Sequence, residues 1–378
     1  MSKPFVGTRE RRYTFLGNAP PLLTETTLIT NYQAHHGLLM PTTYRNYLLI
    51  VAFLPAYIYV GSYFLTSSAA FSSFQHPYLP QYYSNVASKI NHLLSKSPKA
   101  AVSYSRTMSS NLAPIKFVPR RSGERGHADH GWLKTFHTFS FAMYQSNEHS
   151  QFGSLRVINE DRVAPGTGFG THSHREFEIF SYIVAGELEH KDSMGNTEIL
   201  KRGDIQLTSA GKGISHSEKA HGPKEVHFLQ IWSLPSIRGL TPKYFTRHFS
   251  DEEKKDAFVR VVAPVDAEGV IASREGAGPA PVQSPLTLFA TLLSPSKSVT
   301  HTFERRKSYI HVVQTSGYQP PHTNTGGAVK ILEGGTKGGE EVVLREGDGA
   351  YMLGESGKEL VIENLGDKVA EILLFDLE

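Results

Sequence analysis

Four residues with metal-binding side chains occur as two short pairs, His172-Ser173-His174 and His216-Ser217-Glu218. Within each pair the spacing is two residues, and a β-strand directs the side chains of residues i and i+2 to the same face. If both segments are strands of one barrel, three imidazoles and one carboxylate can converge inside it. Imidazole nitrogens combined with a carboxylate oxygen suit a divalent first-row metal such as iron, manganese, copper, nickel or zinc.

Scattered histidines offer a competing interpretation, because the chain has 18 of them and a lone histidine is more often a packed or surface residue. The flanking sequence favours a site. Residues 175–184 are rich in β-branched and aromatic side chains and end at Ala185-Gly186, and another short strand-like segment follows before a turn at 193–196. The next segment ends at Arg202-Gly203-Asp204, ahead of the second pair. This pattern predicts a small antiparallel barrel.

These residues make the sequence resemble a cupin and, more narrowly, a member of the pirin family. The resemblance is carried by GTHSHREFEIFSYIVAGELEHKDSMGN and RGDIQLTSAGKGISHSE, and upstream by FHTFSF and FGSLRVINED. It covers roughly residues 113–378 and is strongest toward the bacterial quercetinase-type pirins. It implies that His172, His174, His216 and Glu218 are the metal ligands, with Fe(II) favoured over Mn, Ni, Cu or Zn.

Two positions depart from the general cupin pattern in the way that pirins do. Glu178 occupies the position of the usual motif glutamate but would not be a ligand, and Ser209 stands where cupins usually carry proline. Phe180 and Tyr182 share the strand parity of the first histidine pair, so we expect them to line the pocket or the core beneath it. Trp232, in an alternating segment, is expected in the core.

The resemblance implies an all-β fold of two cupin barrels in tandem, each a double-stranded β-helix or jelly roll, after an N-terminal extension. We predict the metal-binding barrel at 113–250 and the second barrel at 257–378. The second segment contains His301 and His311 but no His-x-His pair, so we predict that this barrel is metal-free.

The quercetinase-type resemblance implies a metal-dependent dioxygenase that acts on a flavonol or related enol, with a small phenolic substrate and dioxygen as its partners. Glu218 would be a metal ligand and also the catalytic base that takes a proton from a phenolic or enolic hydroxyl. The alternative is a non-enzymatic, iron-binding pirin that acts as a redox-sensing transcription cofactor with a transcription factor as partner. Pocket access distinguishes the two, because turnover of a flat two-ring phenol needs an open pocket.

Composition limits these choices. The chain is 39% hydrophobic and 20% charged, and its 33 glycines and 21 prolines fit a turn-rich β protein. A net charge of +3 is too small to argue for direct nucleic-acid binding. The absence of cysteine excludes disulfides and thiolate ligands, so any metal must use nitrogen and oxygen ligands.

Residues 1–112 form the predicted N-terminal extension and linker. Within them, residues 47–65 carry no charge and approach the roughly 20 residues that a membrane helix needs. We predict a membrane anchor or a targeting segment there. Met108 offers a start for a soluble form. The resemblance implies a cytoplasmic or nuclear cupin region, with membrane association if 47–65 is retained.

Overall fold

The computed structural model describes residues 113–320, 326–335 and 339–378. The regular secondary structure of these residues is almost entirely β-strand, and the strands form two seven-stranded and two four-stranded sheets. The predicted extension, with its 47–65 segment, lies outside the described residues. Within the described ranges, no helix is both long and apolar enough to cross a bilayer.

The first half of the described chain forms one large and one small sheet. Strands of the large sheet are β2 (Gly126–Asp129), β3 (Leu133–His137), β4 (Leu155–Val163), β6 (Glu178–Ala185), β9 (Asp204–Ser209), β11 (Val226–Ser233) and β12 (Lys243–His248), in the order β12-β9-β6-β11-β4-β3-β2. Strands of the small sheet are β5 (Gly168–His174), β7 (Glu187–Asp192), β8 (Thr197–Lys201) and β10 (Ile214–His221), in the order β5-β10-β7-β8.

The second half repeats this plan. Its large sheet contains β1 (Lys116–Arg120), β13 (Val259–Pro264), β14 (Ala280–Val282), β15 (Leu286–Leu293), β17 (Lys307–Val312), β20 (Gly349–Leu353) and β22 (Ala370–Leu377), in the order β1-β20-β17-β22-β15-β13-β14. Its small sheet contains β16 (Ser298–Thr302), β18 (Ala328–Glu333), β19 (Glu341–Arg345) and β21 (Glu359–Asn364), in the order β16-β21-β18-β19. The all-β prediction, with two jelly-roll barrels in tandem, is confirmed.

The first strand, β1, pairs with β20 of the second barrel, and a 3₁₀ turn at Ser122–Glu124 follows it. The predicted first domain, 113–250, therefore begins with a strand that completes the other barrel's sheet. A strand can cross in this way because an edge strand offers unpaired backbone groups to any extended segment that reaches it. The predicted domain boundaries stay a prediction.

The two large sheets bury one hydrophobic cluster together, which includes Phe180 and Leu229 of the first half and Leu288 and Phe375 of the second. Strand β6 shows how alternation builds it. Phe180 and Tyr182 enter this cluster, whereas the intervening Ser181 faces the opposite side of the sheet. The two aromatic residues thus lie in the core between the barrels and do not line the metal pocket.

A buried carboxylate also joins the halves. Glu160 of β4 accepts hydrogen bonds from His227 at 3.1 Å and His311 of β17 at 3.1 Å, and it pairs with Arg125 at 3.2 Å. Burial alone would raise the pKa of Glu160, but the hydrogen bonds from His227 and His311 together with the charge of Arg125 hold the pKa well below its usual value. His301 lies 2.9 Å from the Asp376 carboxylate. The metal-free prediction for the second barrel stays a prediction.

Candidate metal centre

Strands β5 and β10 bring the three predicted imidazoles together. In their antiparallel register His216 lies opposite His172, and Ile214 lies opposite His174. The ligand atoms of the three histidines all lie within 4.8 Å of one another. The Nε2 atoms of His172 and His216 are 3.2 Å apart. The two-residue spacing places both side chains of each motif on one face of its strand, and the register then sets His216 beside His172.

A register shift in this ladder orients one of the rings. Between His216 and Glu218 the pairing slips, so that Glu218 faces Phe169, and β5 carries the extra residue of a β-bulge. The carbonyl of Gly170 then lies 2.8 Å from Nδ1 of His172. A carbonyl can only accept, so Nδ1 carries the proton and Nε2 presents its lone pair toward His216.

The donor set fits a divalent transition metal. Two nitrogens that each lie about 2.1 Å from one ion are separated by about 3.0 Å at a right angle and by about 3.4 Å at the tetrahedral angle. The 3.2 Å between the two Nε2 atoms falls inside that range. With three imidazoles and no thiolate, the set suits the metals that prefer nitrogen and oxygen ligands.

Burial keeps His216 and His174 neutral, which is the state that binds metal. Burial lowers the pKa of His216 to about 2, and the neighbouring His190, His172 and His174 add to the effect. Burial, with His172 beside it, lowers the pKa of His174 to about 4. An imidazole that stays unprotonated at neutral pH can offer its lone pair without first releasing a proton.

Glu218, the fourth predicted ligand, is held apart from the first histidine pair. It does not join the three imidazoles in a single four-residue group, but lies within 4.8 Å of His216 and His190. Its carboxylate accepts hydrogen bonds from Ser181 at 3.3 Å and Gln230 at 2.8 Å. Burial raises the pKa of Glu218 to about 7, and Asp161 adds to the rise, while the two hydrogen bonds oppose it.

His190 is the site residue that sequence reasoning missed. It lies on β7, directly opposite Glu218 on β10, and it is fully buried. Its ring stacks on Tyr244 with centroids 4.8 Å apart. The alternation of buried Leu188 and His190 along β7 is the one available signal. That signal marks an inward side chain but not the neighbour that it meets.

Aromatic side chains lie beside the outer imidazoles. Trp232, expected in the core, is only partly buried and packs edge-on against His174 with centroids 4.8 Å apart. Phe177 and Phe141 contact the same indole at 5.2 and 5.5 Å. His174 and its partner His172 are partly exposed, whereas His216 is 2% exposed. The cluster is therefore reachable from solvent, and an aromatic surface borders it.

Two tandem jelly-roll barrels, the first with an imidazole cluster between two strands, define a two-barrel cupin. The family model described as Pirin matches residues 119–233, which include all three clustered histidines and Glu218. Quercetin 2,3-dioxygenase from Escherichia coli K12 is 40% identical over 197 residues, which are 52% of this chain and 80% of that protein. The chain belongs to the pirin family.

Two further similarities agree with this assignment. A pirin-like protein from Caulobacter vibrioides is 40% identical over 138 residues, which cover 36% of this chain and 60% of that protein. The crystal structure of the bacterial pirin YhhW from Escherichia coli, in complex with nickel(II), is similar with a TM-score of 0.56 and 34% identity. That similarity covers 69% of this chain and 99% of YhhW.

Proposed function

We propose that this protein is a metal-dependent dioxygenase of the quercetin 2,3-dioxygenase type, acting on a flavonol or related enol. The observation that carries the proposal is the convergence of His172, His174 and His216 in a solvent-reachable site beside an aromatic surface. The relative from Escherichia coli that bears the quercetinase name, and the nickel complex of YhhW, support the same reading.

His172, His174 and His216 would hold a divalent ion, with Glu218 completing the set. When bound, such an ion supplies Lewis-acid and redox chemistry toward a phenolic substrate and dioxygen. Fe(II) is one candidate and Ni(II) another, since a nickel complex is known for YhhW. The Gly170 carbonyl fixes the tautomer of His172, and burial keeps His216 neutral.

Glu218 is proposed to act as the general base. Its carboxylate is buried, with Asp161 nearby, so the ionised form is a stronger proton acceptor there than in water. Ser181 and Gln230 donate to its two oxygens and so keep its plane fixed. A substrate hydroxyl that reaches Glu218 would then meet an oriented acceptor.

The aromatic neighbours of His174 suit a flat phenol. Trp232, Phe177 and Phe141 offer ring faces and edges on which a two-ring substrate can pack. The indole Nε1 of Trp232 is buried and has no hydrogen-bond partner among the described residues, so this indole offers the substrate its ring and not its N–H. This open, aromatic border favours an enzyme over a sealed sensor.

The remaining functional expectations stay predictions. These are the alternative role as a redox-sensing transcription cofactor, the cytoplasmic or nuclear location of the cupin region, and membrane anchoring through residues 47–65. Measured turnover decides between the first of them and the enzyme.

The test is metal analysis of the purified full chain, followed by oxygen uptake with quercetin after loading with Fe(II), Ni(II), Mn(II), Cu(II) or Zn(II). We expect about one tightly held ion and oxygen uptake in at least one metal form. A metal-loaded protein that consumes no oxygen with any flavonol would reject the dioxygenase and favour the sensor.

Two variants separate catalysis from metal retention. Glu218→Gln is nearly isosteric, so we expect it to keep metal, with weaker affinity, and to lose about 10²–10⁴ in rate. His174→Ala should lose metal and turnover together. Glu225→Gln, an exposed carboxylate in the same barrel, is the matched control and should change neither. Undiminished oxygen uptake by metal-loaded Glu218→Gln would rule out the base role.

A further inference from the structure

A second group of potential ligands lies deeper in the first barrel. His190 on β7 is directly opposite Glu218 on β10, and His216 is two residues before Glu218 on the same strand. The ligand atoms of these three residues all lie within 4.8 Å of one another. The three residues are 0%, 2% and 2% exposed, in the order His190, His216, Glu218. The group is therefore fully enclosed, unlike the partly exposed His172 and His174.

His190 is oriented as a metal ligand would be. Its Nε2 lies 3.4 Å from Oδ2 of Asp192, and Asn196 donates to the same oxygen at 2.8 Å. Its Nδ1 is buried and has no hydrogen-bond partner among the described residues. An imidazole that donates one N–H to a carboxylate leaves its other nitrogen with a free lone pair, which is how protein metal sites orient their histidines. Stacking on Tyr244 fixes the ring plane.

His216 and Glu218 also have atoms that could bind a metal ion. Nε2 of His216 lies near His172, but its Nδ1 is buried without a partner among the described residues. A buried imidazole nitrogen without a partner costs free energy, so an unfilled position on this ring needs an explanation. Glu218 accepts one hydrogen bond at each oxygen, from Ser181 and Gln230, and a carboxylate can accept about four.

We propose that His190, His216 and Glu218 form a second, inner site for a divalent transition-metal ion. Two imidazoles and one carboxylate form the 2-His-1-carboxylate set that binds divalent iron and its first-row neighbours. The inner site shares His216 and Glu218 with the outer centre but does not use His172 or His174. It thus goes beyond the proposed function, and the two can fail separately.

The test removes the outer site and asks whether metal is still bound. The full-length double variant His172→Gln/His174→Gln is titrated with Co(II) by visible absorption, and bound cobalt is counted after gel filtration. We expect one Co(II) per chain. Adding His190→Gln should weaken binding by more than about 100-fold, beyond the 10–100-fold loss typical of a supporting residue. The double variant binding no Co(II), or binding it equally with and without His190, would overturn the proposal.

Two further variants guard against misfolding. His221→Gln on the same strand β10, a partly exposed position, is the matched control and should leave Co(II) affinity unchanged in the double-variant background. If His190→Gln does not fold by circular dichroism, Asp192→Asn keeps His190 and most turn contacts. It should weaken Co(II) binding by about 10–100-fold, and an unchanged affinity would overturn the proposal.

The proposed function and the proposed inner site predict different patterns of metal binding. Metal bound by the wild type but lost from His172→Gln/His174→Gln leaves the outer centre standing and rejects the inner site. A wild type without metal rejects the proposed function, whatever the double variant does.

Discussion

Glu160→Gln is expected to destabilise the fold strongly while leaving the metal-centre residues in place. Glu160 is 3% exposed and pairs with Arg125, whose side chain is 0% exposed. The Nε and Nη1 atoms of Arg125 are buried with no hydrogen-bond partner in the described residues. The substitution therefore leaves a buried guanidinium with an amide oxygen in place of its carboxylate partner.

The size of the effect follows from that lost charge. Removing one partner of a buried ion pair costs about 3–5 kcal/mol, because the other charge stays buried and uncompensated. His227 and His311 also lose a charged acceptor, but these effects share one residue and do not add. For a unit of this size, each kcal/mol lowers the melting temperature by roughly 2–4 °C, which gives a fall of about 6–20 °C.

The assay is urea and thermal unfolding followed by circular dichroism, with metal content measured on the same samples. Glu225→Gln is the matched control, because the Glu225 side chain is 43% exposed and a solvent-screened ion pair is worth less than about 1 kcal/mol. A loss below about 1 kcal/mol for Glu160→Gln would show that the buried network does not stabilise the contact between the barrels.

Three other outcomes are expected. Burial lowers the pKa of His311, so below its usual value of 6.5 the unfolded chain binds a proton that the fold does not, and stability falls on acidification. His311→Gln should flatten the slope of unfolding free energy between pH 7 and pH 5 by up to about 1.4 kcal/mol per pH unit, and an unchanged slope contradicts this. A Cβ at Gly168 would meet the backbone of Glu218 and, at 2.5 Å, that of Lys219, so Gly168→Ala should lower both melting temperature and metal content. Gly170→Ala, with open space around it, is the control and should do neither. Deletion of residues 1–107 should leave a folded, metal-binding protein, since the described strands begin at Lys116, and aggregation of that fragment would contradict it.

Local pattern was enough to predict an antiparallel barrel and the convergence of three histidines, whereas the two-barrel fold class came from the family resemblance. His172 and His174 share a face because a strand alternates, and His216 meets them because its strand pairs with theirs. The β-bulge beside Gly170 could not be read from spacing, since it depends on how two distant strands align. The role of His172, His174 and His216 as metal ligands stays a prediction.

The odd–even alternation of side chains in β5 does not continue into β6. Phe180 and Tyr182 share the numerical parity of His172, but residues 175–177 form an irregular link in which Glu176 has a φ of 67°. Such a link resets which face is inward, so the aromatic residues point to the core between the barrels and Ser181 points to Glu218. Trp232 was misjudged for a related reason. Its segment alternates, and alternation alone does not reveal whether the inner face meets apolar packing or a site.

The position of Glu218 shows the limit of spacing most clearly. On β10 it shares a face with His216, as the sequence indicates. The two residues nevertheless have different neighbours on the adjacent strands. His216 is paired with His172 on one side, while Glu218 is paired with His190 on the other. With His190, the two motifs form two overlapping groups of potential ligands that share His216, one partly open to solvent and one enclosed. Because no carboxylate lies in the group of His172, His174 and His216, Glu218 can serve the proposed outer centre only through the strand face that it shares with His216.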